Sequence, residues 1–326
     1  MKQLAIVVPK GNANNLSSIV GAYKLFTRAN EYFKKETKKE AFNVRLVGLS
    51  KKVNFYDGLF SVQPHCAITE IKKCSLIIIP SLNHNFEQAR KENRELIAWI
   101  KQQHERGAEI ASICTGAFLL AETGLLNGKS CSTHWAVEEI FKTNYPLIDL
   151  QTDKLITDEN GIYTNGGAYS FLNLLIYLIE KYYDRATAIY CSKVFQIQMD
   201  RQRQSEFIIF AGQKMHEDEM VKKAQSHIEN KLSEKISFDK LSAKLAVGRR
   251  SFDRRFIKAT GNTPLEYAQR AKMEAAKKAF ESSHKSISEV MFQVGYSDPK
   301  AFREVFKKIT GFTPQVYKAK YNFERA

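Results

Sequence analysis

Cys114 and His134 are the residues whose types best suit nucleophilic chemistry. Cys114 follows the apolar run Glu109–Ile113 and precedes Thr115 and a glycine, a pattern typical of a strand that turns sharply into a helix. Such a turn exposes a nucleophile, and the helix N-terminus favours the thiolate. His134 could serve as the base if a third group orients its ring. The alternative is a buried structural cysteine at a strand end.

Strands and helices alternate around these two residues. The strand candidates are strongly apolar, which is typical of a parallel sheet buried between helices. The first 200 residues therefore predict an α/β sandwich, whose chemistry belongs at the carboxyl ends of the strands. The predicted strands are Leu4–Val8, Val44–Leu49, Leu76–Pro80, Glu109–Ile113, Lys129–Ser132 and Gly161–Thr164, and the predicted helices are Ile19–Phe33, Phe86–His104, Ala117–Glu122 and Gly167–Tyr182.

The last third of the chain repeats itself at an offset of 50 residues. Eight positions are identical within a 16-residue window, which indicates one supersecondary unit used twice. The identical pairs are Phe252/Phe302, Phe256/Phe306, Lys258/Lys308, Thr260/Thr310, Gly261/Gly311, Thr263/Thr313, Pro264/Pro314 and Tyr267/Tyr317. Each copy has two short apolar helical patterns around a glycine-containing turn, which predicts an all-α region with two helix-turn-helix motifs, at 238–260 and 287–310.

The second helix of each copy is predicted to face nucleic acid. Its phenylalanines lie four residues apart on the inner face, so the remaining side chains point outward and include many cations. Residues near such a helix N-terminus can contact base edges, whereas later cations suit phosphates. The predicted DNA-binding residues are Arg249, Arg250, Ser251, Arg254 and Arg255 in the first copy and Lys300, Ala301, Arg303, Glu304, Lys307 and Lys308 in the second.

The charge distribution supports this division. The chain has 326 residues and a net charge of +15, a length that favours two domains. Residues 1–220 hold 27 Lys and Arg against 24 Asp and Glu, whereas residues 221–326 hold 23 against 11. A basic module gains affinity for DNA by releasing counterions from phosphates. The remainder is nearly neutral, which is expected of a domain that does not contact phosphates.

The stretch from Cys114 to Lys129, continuing to Thr133-His134-Trp135, resembles the ThiJ/PfpI superfamily, which has the class I glutamine amidotransferase-like, flavodoxin-like fold. In its enzymes the cysteine is nucleophilic, a histidine assists, and an acidic residue from the first strand–helix connection contacts the cysteine. Here Ser18 stands near that position, and no Asp or Glu occurs before Glu31. This departure favours a binding pocket, formed by Ser18, Cys114, Thr115 and His134, over catalysis.

Residues 221–321 resemble the AraC/XylS family of bacterial regulators. The resemblance rests on the sequence blocks Arg254-Arg255-Phe256, Gly261-Asn262-Thr263-Pro264, Gly295-Tyr296-Ser297-Asp298 and Gly311-Phe312-Thr313-Pro314. The family usually has arginine where Glu304 stands. A glutamate there either accepts a hydrogen bond from cytosine N4 or lowers the affinity for DNA.

These patterns predict a DNA-binding transcription regulator rather than an enzyme. Residues 1–205 are expected to sense a small ligand or a redox signal and to form a homodimer, residues 206–220 to be a linker, and residues 221–321 to bind double-stranded DNA. RNA polymerase is a further candidate partner. The alternative is a cysteine-dependent amidase or hydratase tethered to DNA, for which the missing carboxylate is the discriminating feature.

The cysteines and the N-terminus predict a cytoplasmic location. The five cysteines, Cys66, Cys74, Cys114, Cys131 and Cys191, are scattered and show no CxxC spacing. They suit neither a disulfide framework nor a zinc site, and we expect no metal or cofactor. The first apolar run, Leu4–Val8, is too short for a signal peptide or a membrane span.

Overall fold

The computed structural model describes residues 1–11, 14–83, 85–199, 204–214 and 216–322. The chain divides into two compact units, Met1–Gln204 and Ser205–Ala326. The first is an α/β unit and the second is helical, as the sequence predicts. No helix among the described residues is both long and apolar enough to cross a membrane.

The first unit is built on one seven-stranded sheet with the strand order β10-β11-β7-β6-β1-β2-β5. Its strands are β1 (Lys2–Val8), β2 (Phe42–Gly48), β5 (Cys66–Ala67), β6 (Leu76–Ile79), β7 (Glu109–Ile113), β10 (Ile156–Glu159) and β11 (Ile162–Asn165), while β3 (Val53–Phe55) with β4 (Phe60–Val62) and β8 (Ser130–Cys131) with β9 (Asp149–Leu150) form two small separate sheets. The helices are α1 (Leu16–Thr37), α2 (Phe86–Glu92), α3 (Arg94–Glu105), α4 (Ala117–Glu122), α5 (Glu138–Asn144), α6 (Phe171–Tyr182) and α7 (Arg185–Val194).

Both faces of this sheet are buried, which explains why its central strands are so apolar. Along β1, Leu4, Ile6 and Val8 pack into the core that contains α1, α6 and α7, whereas Ala5 and Val7 pack into the opposite core with α3 and α4. Alternate side chains of one strand point to opposite faces. A strand between two helical layers therefore needs apolar residues at every position, and the predicted sandwich is confirmed.

The structure differs from the predicted elements at several places, and four of them concern predicted segments or the direction of a strand. The outer strand β10 runs antiparallel to β11, because the positive φ angles of Asn160 and Gly161 close a two-residue hairpin between them. The predicted strand 129–132 lies in a small separate sheet. The predicted helix 86–104 is two helices that meet at Asn93. The side-chain amide of Asn93 donates a hydrogen bond to the Lys10 carbonyl. The helix predicted from Gly167 begins only at Phe171.

The second unit contains seven α-helices within the described residues. They are α8 (Glu219–Glu229), α9 (Phe238–Lys244), α10 (Arg249–Thr260), α11 (Pro264–Ser282), α12 (Ile287–Gln293), α13 (Pro299–Thr310) and α14 (Pro314–Tyr321). Helices α9 and α10 form the first helix-turn-helix, and α12 and α13 form the second. The offset of 50 residues is retained, since α10 and α13 both have twelve residues and both end at a glycine with a left-handed backbone.

The repeated residues build the same small core twice. The two phenylalanine rings of α10 lie 5.7 Å apart and those of α13 lie 5.8 Å apart, and in each copy a tyrosine ring contacts the second phenylalanine at 5.4 Å. In each copy the threonine hydroxyl also donates to the carbonyl of that phenylalanine at 2.8 Å. Seven of the eight identities at an offset of 50 are therefore core or capping positions, and the eighth, Lys258/Lys308, is exposed.

Residues from the predicted linker, 206–220, make specific contacts within the second unit. The Phe210 ring packs on Tyr267 at 5.1 Å, and its backbone N–H donates to the Glu274 carboxylate at 3.0 Å. The Lys277 ammonium donates to the Ile208 carbonyl and pairs with Glu274 at 2.8 Å. Lys277 and Glu274 are both buried on α11, so the chain enters this unit along α11.

We expect Phe306→Ala to destabilise the second unit by about 3–5 kcal/mol, because it removes a fully buried ring and leaves a cavity. The measurement is the free energy of unfolding in denaturant. Phe292→Ala is the matched control, since that ring on α12 is 60% exposed, and it should change stability little. Equal losses for the two variants would contradict this assignment of the core.

Candidate ligand pocket and nucleic-acid interface

Cys114 stands at the sharp turn that the sequence predicts between β7 and α4. Its φ of +52° is left-handed, an unfavourable backbone for a residue with a Cβ that neighbouring groups must hold in place. The Asn165 side chain accepts from the Cys114 N–H at 3.1 Å, and the Thr133 hydroxyl donates to the Cys114 carbonyl at 2.9 Å. The turn also needs Gly116, where a Cβ would lie 2.5 Å from the Pro80 carbonyl oxygen.

A cavity of about 220 Å³ opens beside this turn. The four predicted pocket residues, Ser18, Cys114, Thr115 and His134, all line it. The sequence analysis missed the other lining residues, which are Asn15, Ser17, Ser81, Leu82, Asn83, Phe86, Ala136, Val137, Ala168, Tyr169 and Phe171. No carboxylate lines the cavity within the described part of the chain, so the pocket is neutral, with hydroxyl and amide groups among apolar side chains.

The thiol of Cys114 is buried and surrounded by hydrogen-bond donors rather than by charges. Burial raises its pKa above the ordinary range, and this effect outweighs the opposing hydrogen bonds from the Ser81 hydroxyl, from Thr115 and from the backbone of His134. Desolvation disfavours the charged form of an acid. The protein therefore holds Cys114 as a neutral thiol at neutral pH.

The His134 ring is oriented by its own turn and not by the thiol. Its Nδ1 accepts from the Ala136 backbone N–H at 3.1 Å, which leaves the proton of the neutral ring on Nε2. Burial lowers its pKa, so the ring is neutral at physiological pH. Cys114 and His134 thus share one cavity, but the contact from His134 to the thiol comes from its backbone.

Ser18 occupies the first turn of α1 and connects this helix to the loop after β6. Its hydroxyl donates to the Asn15 carbonyl at 2.8 Å and accepts from the Ser81 N–H at 3.1 Å. The Ser81 hydroxyl in turn lies 2.9 Å from that of Thr115. This network holds the pocket wall through neutral groups. Ser81 and Asn165 stand at or just after the carboxyl ends of buried strands, and this position was the signal that could have identified them.

The cations of α10 are partly neutralised. This helix is the second of the first helix-turn-helix and its candidate recognition helix, and α13 is the equivalent helix of the second motif. Arg249 pairs with Asp253 and Asp239, both at 3.0 Å. Arg255 forms two hydrogen bonds to Asp218, the residue that caps α8. Of the cations predicted to bind DNA, Arg250 and Arg254 are exposed and form no ion pair within the described residues.

The second recognition helix, α13, keeps its cations free. All four of its predicted cationic contacts are exposed, and none forms an ion pair within the described residues: Lys300, Arg303, Lys307 and Lys308. Glu304 is exposed between them, while Ser251 on α10 and Ala301 on α13 are half-buried. The Asp298 side chain caps the helix by accepting from the Lys300 N–H at 2.8 Å.

Comparisons with known proteins support both halves of this description. The DJ-1/PfpI family matches residues 25–181, and a helix-turn-helix domain of the AraC type matches residues 241–320. The two matches fall on the two segments whose resemblances the sequence predicts, a DJ-1/PfpI segment and a helix-turn-helix segment. No group of three or more metal-ligating side chains occurs among the described residues.

The chain is similar to named transcriptional regulators. The HTH-type transcriptional regulator GbdR of Pseudomonas aeruginosa is 24% identical over 227 residues, which cover 69% of this chain and 62% of GbdR. The regulator CdhR of the same organism is 23% identical over 76% of this chain and 73% of CdhR. The region aligned with GbdR covers less than two thirds of the length of GbdR. A ThiJ/PfpI family structure from Pseudomonas syringae shares the fold, with a TM-score of 0.51 at 18% identity over 61% of this chain and 76% of that one.

We expect iodoacetamide to alkylate Cys114 much more slowly in the native protein than in the urea-unfolded chain at pH 7.5, because the raised pKa keeps the thiol protonated. The native rate should rise only as the pH passes well above the ordinary thiol pKa of about 8.5. Peptide mapping by mass spectrometry follows the reaction at this cysteine.

Ser81→Ala should slow this reaction further, since it removes a donor to the thiolate, whereas Ser17→Ala is the control within the same cavity. A native rate at pH 7.5 that equals or exceeds the unfolded rate would show that the pKa of Cys114 is not raised. The neutral pocket would then be wrong.

Proposed function

We propose that this chain is a sequence-specific transcription regulator that binds double-stranded DNA through α10 and α13. The observation that carries the proposal is the duplicated helix-turn-helix, whose second helices both expose cations on the face opposite their phenylalanines. The similarity to GbdR and CdhR supports the same function. The direct test is selection of bound sites from random DNA, followed by competition against unselected DNA at fixed salt.

The first unit supplies the signal in this proposal. A neutral cavity of about 220 Å³ with a few polar groups among apolar walls is suited to a small ligand of low charge. The raised pKa of Cys114 favours ligand binding over a redox signal. We further propose that the protein acts in the cytoplasm as a homodimer formed through this unit, and that RNA polymerase is a partner at promoters.

The enzyme alternative has less support. Cys114 stands on a strained turn with hydrogen-bond donors aimed at its thiol, but no carboxylate among the described lining residues is available to share its proton. The His134 ring is held by Ala136. Amidase or hydratase turnover by the purified protein that disappears in Cys114→Ala would favour the alternative.

Among the residues of the first recognition helix, Arg250 and Arg254 should carry base recognition. We expect Arg254→Ala to weaken binding to the selected site by about 1–3 kcal/mol, the usual contribution of a bidentate contact with guanine, with a smaller loss on random DNA. The measurement is the ratio of the two dissociation constants.

Arg255→Ala is the matched control for this ratio, because its guanidinium is already engaged by Asp218. It should leave the preference for the selected site nearly unchanged. If Arg254→Ala loses affinity equally on selected and random DNA, Arg254 does not read bases.

Lys307 and Lys308 should contact phosphates. We expect each alanine variant to weaken binding to selected and random DNA alike and to reduce the slope of log K against log salt by about 1. Lys35→Ala, an exposed lysine of the first unit, should leave the slope unchanged. A change confined to the selected site would assign these lysines to base contacts instead.

A further inference from the structure

Lys272 lies where the connecting helix α11 passes from one core of the second unit to the other. Tyr267 and Ala268 pack with the first helix-turn-helix, whereas Met273 and Ala276 pack with the second. The Lys272 side chain is only 8% exposed. Burial alone lowers its pKa, with no carboxylate to oppose the effect. Burial of a lysine without an anionic partner lowers the stability of the fold. Core packing alone therefore does not explain why a lysine stands at this position.

The Lys272 ammonium bonds two backbone carbonyls, one in the loop before the first helix-turn-helix and one in the second motif. It donates to the Glu234 carbonyl at 3.1 Å and to the Val294 carbonyl at 3.0 Å. Glu234 lies in the loop that leads into α9 of the first copy, and Val294 ends α12 of the second. The Tyr296 ring lies 5.5 Å from the same nitrogen, within the range of a cation–π contact. One charged donor thus links the two helix-turn-helix motifs.

Gly295 shows how closely the two copies approach at this link. Its φ is +72°, and a Cβ built there would lie 2.6 Å from the Ser233 carbonyl oxygen and 2.7 Å from the Lys272 ammonium. Only glycine therefore allows the turn of the second motif to lie against the loop of the first. Gly295 therefore serves two purposes. It adopts the left-handed backbone of its own turn, and it leaves space for the loop before α9.

We propose that Lys272 is a positioning residue that fixes the orientation of the first recognition helix relative to the second, and thereby sets the number of base pairs between the two DNA half-sites. Helix α11 sets the separation of the two motifs along its axis. The two charge-assisted hydrogen bonds add a constraint between the loop before α9 and the C-terminus of α12. The inference rests on the proposed DNA binding and adds a determinant of half-site spacing.

The first test compares Lys272→Met with Lys278→Met in the full-length protein. Lys278 is an exposed lysine of the same helix, so both variants lose one positive charge. Sites selected by the wild type are altered by adding or removing base pairs between the two half-sites. Each base pair shifts the second half-site by about 3.4 Å and rotates it by about 35°.

We expect the wild type and Lys278→Met to lose on the order of tenfold in affinity for one added base pair, because two rigidly linked readers cannot both engage. Lys272→Met should bind the original site more weakly and lose only about threefold on the same insertion. Wild-type spacing preference in Lys272→Met would overturn the inference. A wild type that selects no two-part site would instead contradict the proposed function.

A second measurement needs no DNA. Spin labels at Lys258→Cys and Lys308→Cys report the distance between equivalent, exposed positions of α10 and α13, while the five native cysteines are buried. We expect a narrow distance distribution with wild-type Lys272 and with Lys278→Met, and a broader one with Lys272→Met. Equal widths would overturn the inference. If Lys272→Met does not fold, Lys272→Gln takes its place, and loss of folding in both would assign Lys272 to stability alone.

Discussion

The first unit depends on the backbone of Cys114, which is held in a left-handed conformation between two parallel strands. Asn165 lies opposite Ile113 in the register of β11 and β7, so its side chain reaches the amide of the next residue, Cys114. Thr133 holds the carbonyl of Cys114 from the other side. The buried sheet thus supplies the free energy that maintains the strained turn, and the turn directs the thiol into the cavity.

The surroundings of this thiol separate binding from catalysis. A nucleophilic cysteine needs a thiolate, and a buried thiolate needs a nearby cation or a proton acceptor. Here the thiol meets hydroxyl and amide groups, and the neutral His134 ring is held by the Ala136 backbone N–H. Among the described residues no carboxylate lines the cavity, and this supports the proposed binding of a small ligand of low charge.

Periodicity and turn chemistry made most of the architecture predictable from the sequence. Buried strands such as Leu4–Val8 have no competing interpretation, and the repeat located α10 and α13 because all but one of its identical pairs pack or cap. The antiparallel strand β10 was missed although Asn160-Gly161 is a strong hairpin signal. The break at Asn93 depends on contacts with Lys10, 83 residues away, and no local pattern contains this information. Ser81 and Asn165 were missed although each stands at or just after the carboxyl end of a buried strand, and the contact of Asn165 with Cys114 follows from strand register.

The net charge predicted that the second unit binds DNA. It did not predict how the unpaired cations are divided between α10 and α13. Carboxylates from three places, Asp218, Asp239 and Asp253, engage two arginines of α10, and only Asp253 belongs to α10 itself. Helix α13 has no such partners among the described residues, so its cations remain available to phosphates. If an ion pair must break before a side chain contacts DNA, the binding free energy gained from that contact is smaller. In the proposed function the two equivalent helices therefore contribute unequally: all four predicted cations of α13 are free of ion pairs among the described residues, whereas of the predicted arginines of α10 only Arg250 and Arg254 are.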